Sequence, residues 1–193
     1  MANFDEAYNI TCKNEGKYDN DPDDVGGETY KGVARSYYPD WGGWKLIDKA
    51  KEENNFPENL ENNSDLQTKV RKLFKNLYWN RFWGDKISNQ SIANEMFDTA
   101  INLGASRAIK YLQIGLNILN RNQQLYADIV EDGVFGKNTL RALNSYLSSD
   151  EDVFLLKVIN ILQGYHYIKY MKESPIQEKY ARGWLKRVEI NKI

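Results

Sequence analysis

The chain has 193 residues, 41% of them apolar and 13% aromatic, with a formal net charge of −1, enough for one sizeable core or two small ones. Residues 1–66 carry 15 acids and 7 bases and residues 67–193 carry 12 acids and 19 bases, and the lysines are dispersed, which argues against a nucleic-acid binder while leaving a mildly basic second half suited to an anionic wall. One cysteine and one histidine exclude an intramolecular disulfide and leave too few ligands for a usual catalytic zinc, so neither metal nor cofactor is expected.

The N-terminus, Met1-Ala2-Asn3-Phe4-Asp5-Glu6, has no basic start followed by an apolar segment, and no later run reaches the ~18 apolar residues of a membrane span. The product is expected to begin in the cytoplasm, without stable membrane insertion. Asn3 caps a first helix whose apolar stripe, Phe4, Ala7, Tyr8 and Thr11, continues by four residues to Glu15. A carboxyl on that stripe resists ionisation. Cys12 reads as a small buried hydrophobe, and a Cys12/His166 dyad is disfavoured because nothing local activates either residue.

From Gly16 to about Tyr38 the chain is a turn-rich loop or small hairpin carrying Asp19, Asp21, Asp23, Asp24 and Glu28. Glu15, at a helix end, and Asp24, past the turns, sit in contrasting environments. One carboxyl is suited to donate a proton and the other to remain charged, the pair that glycoside hydrolysis needs. An EF-hand starting at Asp19 fails at its sixth position, Asp24, and its twelfth, Tyr30. Tyr37-Tyr38-Pro39-Asp40-Trp41-Gly42-Gly43-Trp44 is an aromatic turn, followed by a short helix through Ile47 and Lys51 and an exposed connection over residues 53–63.

Ser64 with Gln67 forms a capping-box pattern before the stripe Leu66, Val70, Leu73, Phe74 and Leu77. Residues 91–103 predict a helix stopped by Gly104, and a second runs through Ala108, Leu112, Gly115, Leu116 and Leu119. Asp98 and Asn102 share a face of the first, as a polar wall for a glycan or as a buried cap or interhelix hydrogen bond. Glu95 with Asp98 is a rival carboxylate pair of the kind helix surfaces carry routinely. In Asp132-Gly133-x-x-Gly136-x-x-Thr139 the glycines make a tight turn and Thr139 helps start a helix, with Leu140, Leu143 and Leu147 toward the core. A long helix over residues 153–171 ends before Ser174-Pro175.

The pattern Glu15-Gly16-x-Tyr18-x-Asn20-Asp21-Pro22-x-Asp24-x-Gly26-Gly27-x-Thr29-x-x-Gly32-Val33 resembles glycoside hydrolase family 108, lysozyme-like N-acetylmuramidases of phages and bacteria, some labelled putative secretion activator protein. The family usually has a second glycine where this chain has Lys17. Eight residues separate Glu15 from Asp24 and four more precede Thr29, which resembles the Glu/Asp/Thr constellation of phage-type lysozymes, where the second gap is often five and would fall on Tyr30. Phe97-Asp98-x-Ala100-x-Asn102-x-Gly104 and the closing Tyr180-Ala181-Arg182-Gly183-Trp184-Leu185 also resemble the family, and the Asp132 segment resembles helical peptidoglycan-binding modules.

The resemblance implies a mainly α, lysozyme-like helical fold with a small β-hairpin or loop element after the first helix. It implies a catalytic region over 1–104 and a helical peptidoglycan-binding-like region over 105–193 packed on it. The implied activity is an endolysin-like muramidase cutting the β-1,4 bond between N-acetylmuramic acid and N-acetylglucosamine. Glu15 is then the general acid, Asp24 polarises water or stabilises the oxocarbenium-like state, and Thr29 helps hold the water. Tyr18, Tyr38, Trp41 and Trp44 are candidate sugar-stacking surfaces beside Asp98 and Asn102. A lytic transglycosylase and a non-catalytic wall-binding or secretion-assisting protein remain alternatives. The partner that the resemblance implies is bacterial peptidoglycan, with a holin or another export route expected to give access to it.

Overall fold

Asn3 starts the first helix as expected: its Oδ1 accepts the backbone N–H of Asp5 at 2.8 Å and of Glu6 at 3.4 Å, satisfying donors that have no partner inside the helix. The computed structural model describes residues 1–12, 18–20 and 27–188. The chain is mainly α, with eight α-helices, four short 3-10 segments and a three-stranded sheet among those residues. It divides into two units, Tyr8–Leu77 and Met1–Ala7 with Tyr78–Ile193. Helix α1, Phe4–Thr11, contributes to both, and it ends four residues short of Glu15.

In the Tyr8–Leu77 unit three two-residue strands, β1 (Tyr18–Asp19), β2 (Thr29–Tyr30) and β3 (Val33–Ala34), pair antiparallel in the order β1-β2-β3, with Asp19 opposite Thr29 and Tyr18 opposite Tyr30. The small β element after the first helix is thus present. Helix α2 (Trp44–Ala50) follows the aromatic turn. The stretch expected to be an exposed connection instead contains the 3-10 segment Glu58–Asn62, which buries Leu60. Apolar side chains close a turn over the core even where the neighbouring sequence is polar.

Helix α3, Ser64–Leu77, buries Leu66, Val70 and Phe74, while Leu73 and Leu77 are half-buried. Its cap differs from the expected box. Asn63, not Ser64, accepts the N–H of Leu66 at 3.0 Å, and Ser64 lies within the helix. Gln67 is drawn away from the helix start: its Nε2 donates to the Tyr30 hydroxyl at 2.8 Å and to the Leu60 carbonyl at 2.9 Å. Satisfying those buried acceptors outweighs a solvent-exposed cap bond.

The other unit is helical. Helices α4 (Gln90–Leu103), α5 (Ala105–Leu119), α6 (Lys137–Leu147), α7 (Asp152–Glu173) and α8 (Ala181–Leu185) surround a core that includes Phe97, Leu112, Leu116, Leu143 and Ile159. Phe4 packs edge-on to Trp79 and Phe97, with centroids 5.7 and 5.6 Å away. Each such side chain stabilises the unit by about 1.5–3 kcal/mol through removal of apolar area from water. Asn89 caps α4 by accepting the Ile92 N–H at 2.9 Å and donates to Asp152 at the start of α7 at 2.7 Å.

The turn before α6 differs in detail from expectation. The buried face of α6 is Thr139, Ala142, Leu143 and Tyr146, with Leu140 and Leu147 only half-buried. Thr139 gives no cap bond. Its hydroxyl accepts from Gln113 Nε2 at 3.3 Å, and the same buried amide donates to Asp132 Oδ1 at 2.9 Å and the Val134 carbonyl at 3.1 Å. Gln113 Oε1 in turn accepts the Gly133 N–H at 2.8 Å. Gly133 has φ +71°, and a Cβ there would lie 2.6 Å from the Ser106 carbonyl oxygen, so only glycine passes. No helix among the described residues is long and apolar enough to cross a membrane.

Candidate functional site

Within the Tyr8–Leu77 unit, the end of α1, the β2–β3 turn and α3 enclose an open cavity of about 600 Å³ lined by Tyr8, Asn9, Ile10, Cys12, Lys31, Gln67 and Arg71. Cys12, expected to be buried, is half-exposed on its wall because α1 has already ended. Arg71 lies over the Tyr8 ring at 4.4 Å and donates to Asn9 Oδ1 at 2.8 Å. Lys31 Nζ reaches Glu61 at 2.8 Å and Gln67 Oε1 at 3.0 Å. The cavity therefore offers two amides, two cations and an aromatic ring that Arg71 covers, a lining suited to hydroxyl-rich ligands.

Sequence reasoning placed none of these residues in a glycan site: it read Tyr8 and Cys12 as buried and Gln67 as part of a helix cap. One signal was present: Gln67 and Arg71 stand four apart, one turn along a single face of α3. Glu15 and Asp24 fall outside the described residues. Cys12 is the last described residue before the segment that contains Glu15.

Thr29 is half-buried in β2, its hydroxyl donating to the Gly27 carbonyl at 3.1 Å. Strand alternation turns its neighbour Tyr30 the other way, into the core, where it is 1% exposed and bonded to Gln67. Burial, ahead of its hydrogen bonds, pushes the Tyr30 phenol up to about 12. The residue that family spacing would favour as third member is thus a core residue. Asp19, one of the loop carboxylates, is exposed and directly across the ladder from Thr29.

Tyr18 is half-buried, its ring edge-on to Phe56 at 4.7 Å. Its phenol is held above its ordinary value, first by desolvation and then by its hydrogen bond to Glu28. Glu28 pairs with Lys51 at 2.7 Å and Arg35 at 3.1 Å, and Arg35 reaches Asp48 at 2.7 Å. This charged cluster ties the sheet to α2, a role not foreseen for Glu28.

The aromatic turn divides by burial. Trp44, expected as a stacking surface, is 3% exposed, donates Nε1–H to the Tyr38 carbonyl at 2.7 Å and carries the Arg35 guanidinium 4.5 Å from its ring centroid. No face is left for a sugar. Trp41 is half-buried, edge-on to Trp44 at 5.2 Å, with its ring so close over Gly43 that a Cβ there would overlap it at 2.2 Å. Tyr38 is half-buried, and Tyr38 and Trp41 keep partial exposure.

In the helical unit, Asp98 Oδ1 accepts from Arg187 Nη1 at 2.9 Å, and Asn102 Nδ2 donates to the Asp98 carbonyl at 2.8 Å. Asp98 thereby joins α4 to the closing segment, while Asn102 bonds within its own helix. Glu95 Oε1 accepts from Thr99 on the same helix at 3.2 Å.

A family model described as Glycosyl hydrolase 108 matches residues 8–104, and one described as Predicted Peptidoglycan domain matches residues 107–189. Together they support a function related to peptidoglycan. Among solved structures, the "Structure of Brucella abortus SagA" is similar, with a TM-score of 0.63 and 23% identity over 96% of this chain and 88% of that one, which shows a shared fold. No curated protein matches the chain. Since the first model spans just over half of the 193 residues and takes in the whole Glu15 to Thr29 pattern, the chain belongs to the glycosyl hydrolase 108 family.

Proposed function

We propose that the protein is a peptidoglycan hydrolase, an N-acetylmuramidase that cleaves the β-1,4 bond between N-acetylmuramic acid and N-acetylglucosamine. The observation that carries this reading is the family match over residues 8–104, which includes every member of the proposed catalytic set. Glu15 gives its proton to the glycosidic oxygen as that bond breaks, and Asp24, ionised, takes a proton from the attacking water or stabilises the oxocarbenium-like state.

Thr29 has a defined part in that scheme. Its hydroxyl proton is committed to the Gly27 carbonyl, so toward water it can only accept. A water that donates one proton to Thr29 and the other to Asp24 keeps a lone pair for the anomeric carbon. The cavity walled by Asn9, Gln67 and Arg71 would bind the glycan's hydroxyl and N-acetyl groups, with Tyr18, Tyr38 and Trp41 as the remaining aromatic candidates. The enzyme would act at the wall after release or export from the cytoplasm.

The experiment is digestion of purified peptidoglycan by wild type and Glu15→Gln, with mass spectrometry of the soluble products. Reducing muramic-acid ends from wild type alone are expected. Anhydro ends would make the protein a lytic transglycosylase, and wall binding without fragments would make it a non-catalytic wall-binding protein.

A further inference from the structure

A second concave site lies wholly within the helical unit. It is a cleft of about 190 Å³ lined by Asn102 of α4, Arg107 of α5, His166, Tyr167 and Tyr170 of α7 and Trp184 of α8. Its wall is aromatic. Tyr167 and Trp184 stack with centroids 5.3 Å apart at 21°, Tyr170 lies 5.9 Å from Trp184, and His166 is parallel to Tyr170 at 6.3 Å. Tyr167 is buried and backs the stack, whereas Tyr170 is 42% exposed at its edge.

Two polar groups complete it. Arg107 donates Nη1–H to the Leu103 carbonyl at 3.0 Å and meets no carboxylate among the described residues, whereas nearby Arg187 is committed to Asp98. Asn102 spends its amide N–H on Asp98, and its Oδ1 meets no donor among the described residues. The site thus combines a flat apolar face, an amide oxygen that accepts an N–H, and a guanidinium fork that matches a carboxylate. Its volume is below the ~300–1,000 Å³ of drug-sized pockets, which limits it to about one residue of a longer chain. Among the described residues no carboxylate lines it.

We propose that this cleft is a non-catalytic glycan site for an N-acetylated, carboxylate-bearing sugar, the muramyl residue of peptidoglycan. The ring would lie on the Tyr170 and Trp184 faces, the N-acetyl N–H would meet Asn102, and the lactyl carboxylate would pair with Arg107. The choice of sugar rests on the reading of the wall as substrate.

His166 is the sole histidine of the chain, so its ring gives one NMR signal that reports on this cleft alone. The full chain carrying Glu15→Gln is titrated with a stem-free tetrasaccharide of alternating N-acetylglucosamine and N-acetylmuramic acid. A saturable shift of the His166 signal is expected, weakened at least ~10-fold by Arg107→Gln, lost in Trp184→Leu, and at least ~10-fold weaker for neutral chitotetraose. Unchanged circular dichroism and melting would show that the variants fold. An unmoved His166 signal, equal binding by Arg107→Gln, or a shift with free stem peptide but not with stripped glycan would each overturn the proposal. Fragment release with a silent His166 would reject this site and leave the muramidase reading standing, and a His166 shift in a chain that releases no fragments would do the reverse.

Discussion

In the Tyr8–Leu77 unit many of the polar contacts that shape the cavity and sheet involve a charged side chain: Arg71 to Asn9, Lys31 to Glu61, and Glu28 between Arg35 and Lys51. In the helical unit the equivalent junction is the neutral amide of Gln113, which holds the Asp132-Gly133 turn to α5 through four hydrogen bonds. The two-residue strands bury Tyr30, Val33 and Ala34 but form only a short ladder, so the charged contacts add to their hold on α2, and charge responds to salt. The helices bring their own core and need only a satisfied hub. The unit that carries the proposed chemistry is therefore the one whose shape is most open to its medium.

The largest expected effect lies in the first unit. Glu15→Gln should lower release of wall fragments by about 10²–10⁴-fold, the range of a lost general acid, while urea unfolding stays as in wild type. Activity loss accompanied by equal unfolding would sink the catalytic role.

Next in size are changes to the neutral hub. Gly133→Ala must move the Ser106 backbone and adopt an unfavourable φ, and Gln113→Leu leaves the Gly133 N–H without its acceptor. Each should cost about 3 kcal/mol by denaturant unfolding, equally at low and high salt. A strong salt dependence would break the contrast between the units.

Glu28→Gln should cost less, about 1–2 kcal/mol at low salt, because both cations are about a third exposed and screened by water. The difference from wild type should shrink as salt is raised. A loss that salt leaves untouched would mean that packing, not charge, holds the sheet to α2.

The smallest effect is the titration of His166. Desolvation, then the positive charges of Arg107 and Lys169, hold its pKa below the ordinary 6.5. The unfolded chain therefore takes up this proton first, so the group's contribution to stability is present above about pH 6.5 and lost as pH falls through that value toward the folded pKa. NMR titration should show the depressed pKa, and Arg107→Gln should raise it.

Much of the fold was legible because helices announce themselves. The stripe Leu66, Val70 and Phe74, the cap at Asn3 and the stop at Gly104 are local signals, and local signals survive folding. The Ser64 and Gln67 box was misread because Gln67 found buried partners on Tyr30 and Leu60, thirty-seven and seven residues away, which no local pattern reveals. Trp44 was misassigned for the same reason: an aromatic in a turn looks exposed until Arg35 and the Tyr38 carbonyl enclose it.

By itself the sequence determined the helical class and the family, since these depend on residue type and spacing along the chain. Only the tertiary structure decided which side chains, among the described residues, are buried and which are paired. It turned Tyr30 inward and Thr29 outward, set Arg71 and Gln67 around a cavity with Asn9, gave Asp98 to Arg187, and left Arg107 beside an aromatic stack without an acid among the described residues. Those outcomes depend on strand alternation and on contacts between residues up to 89 apart, where desolvation and pairing, not local propensity, choose the partner.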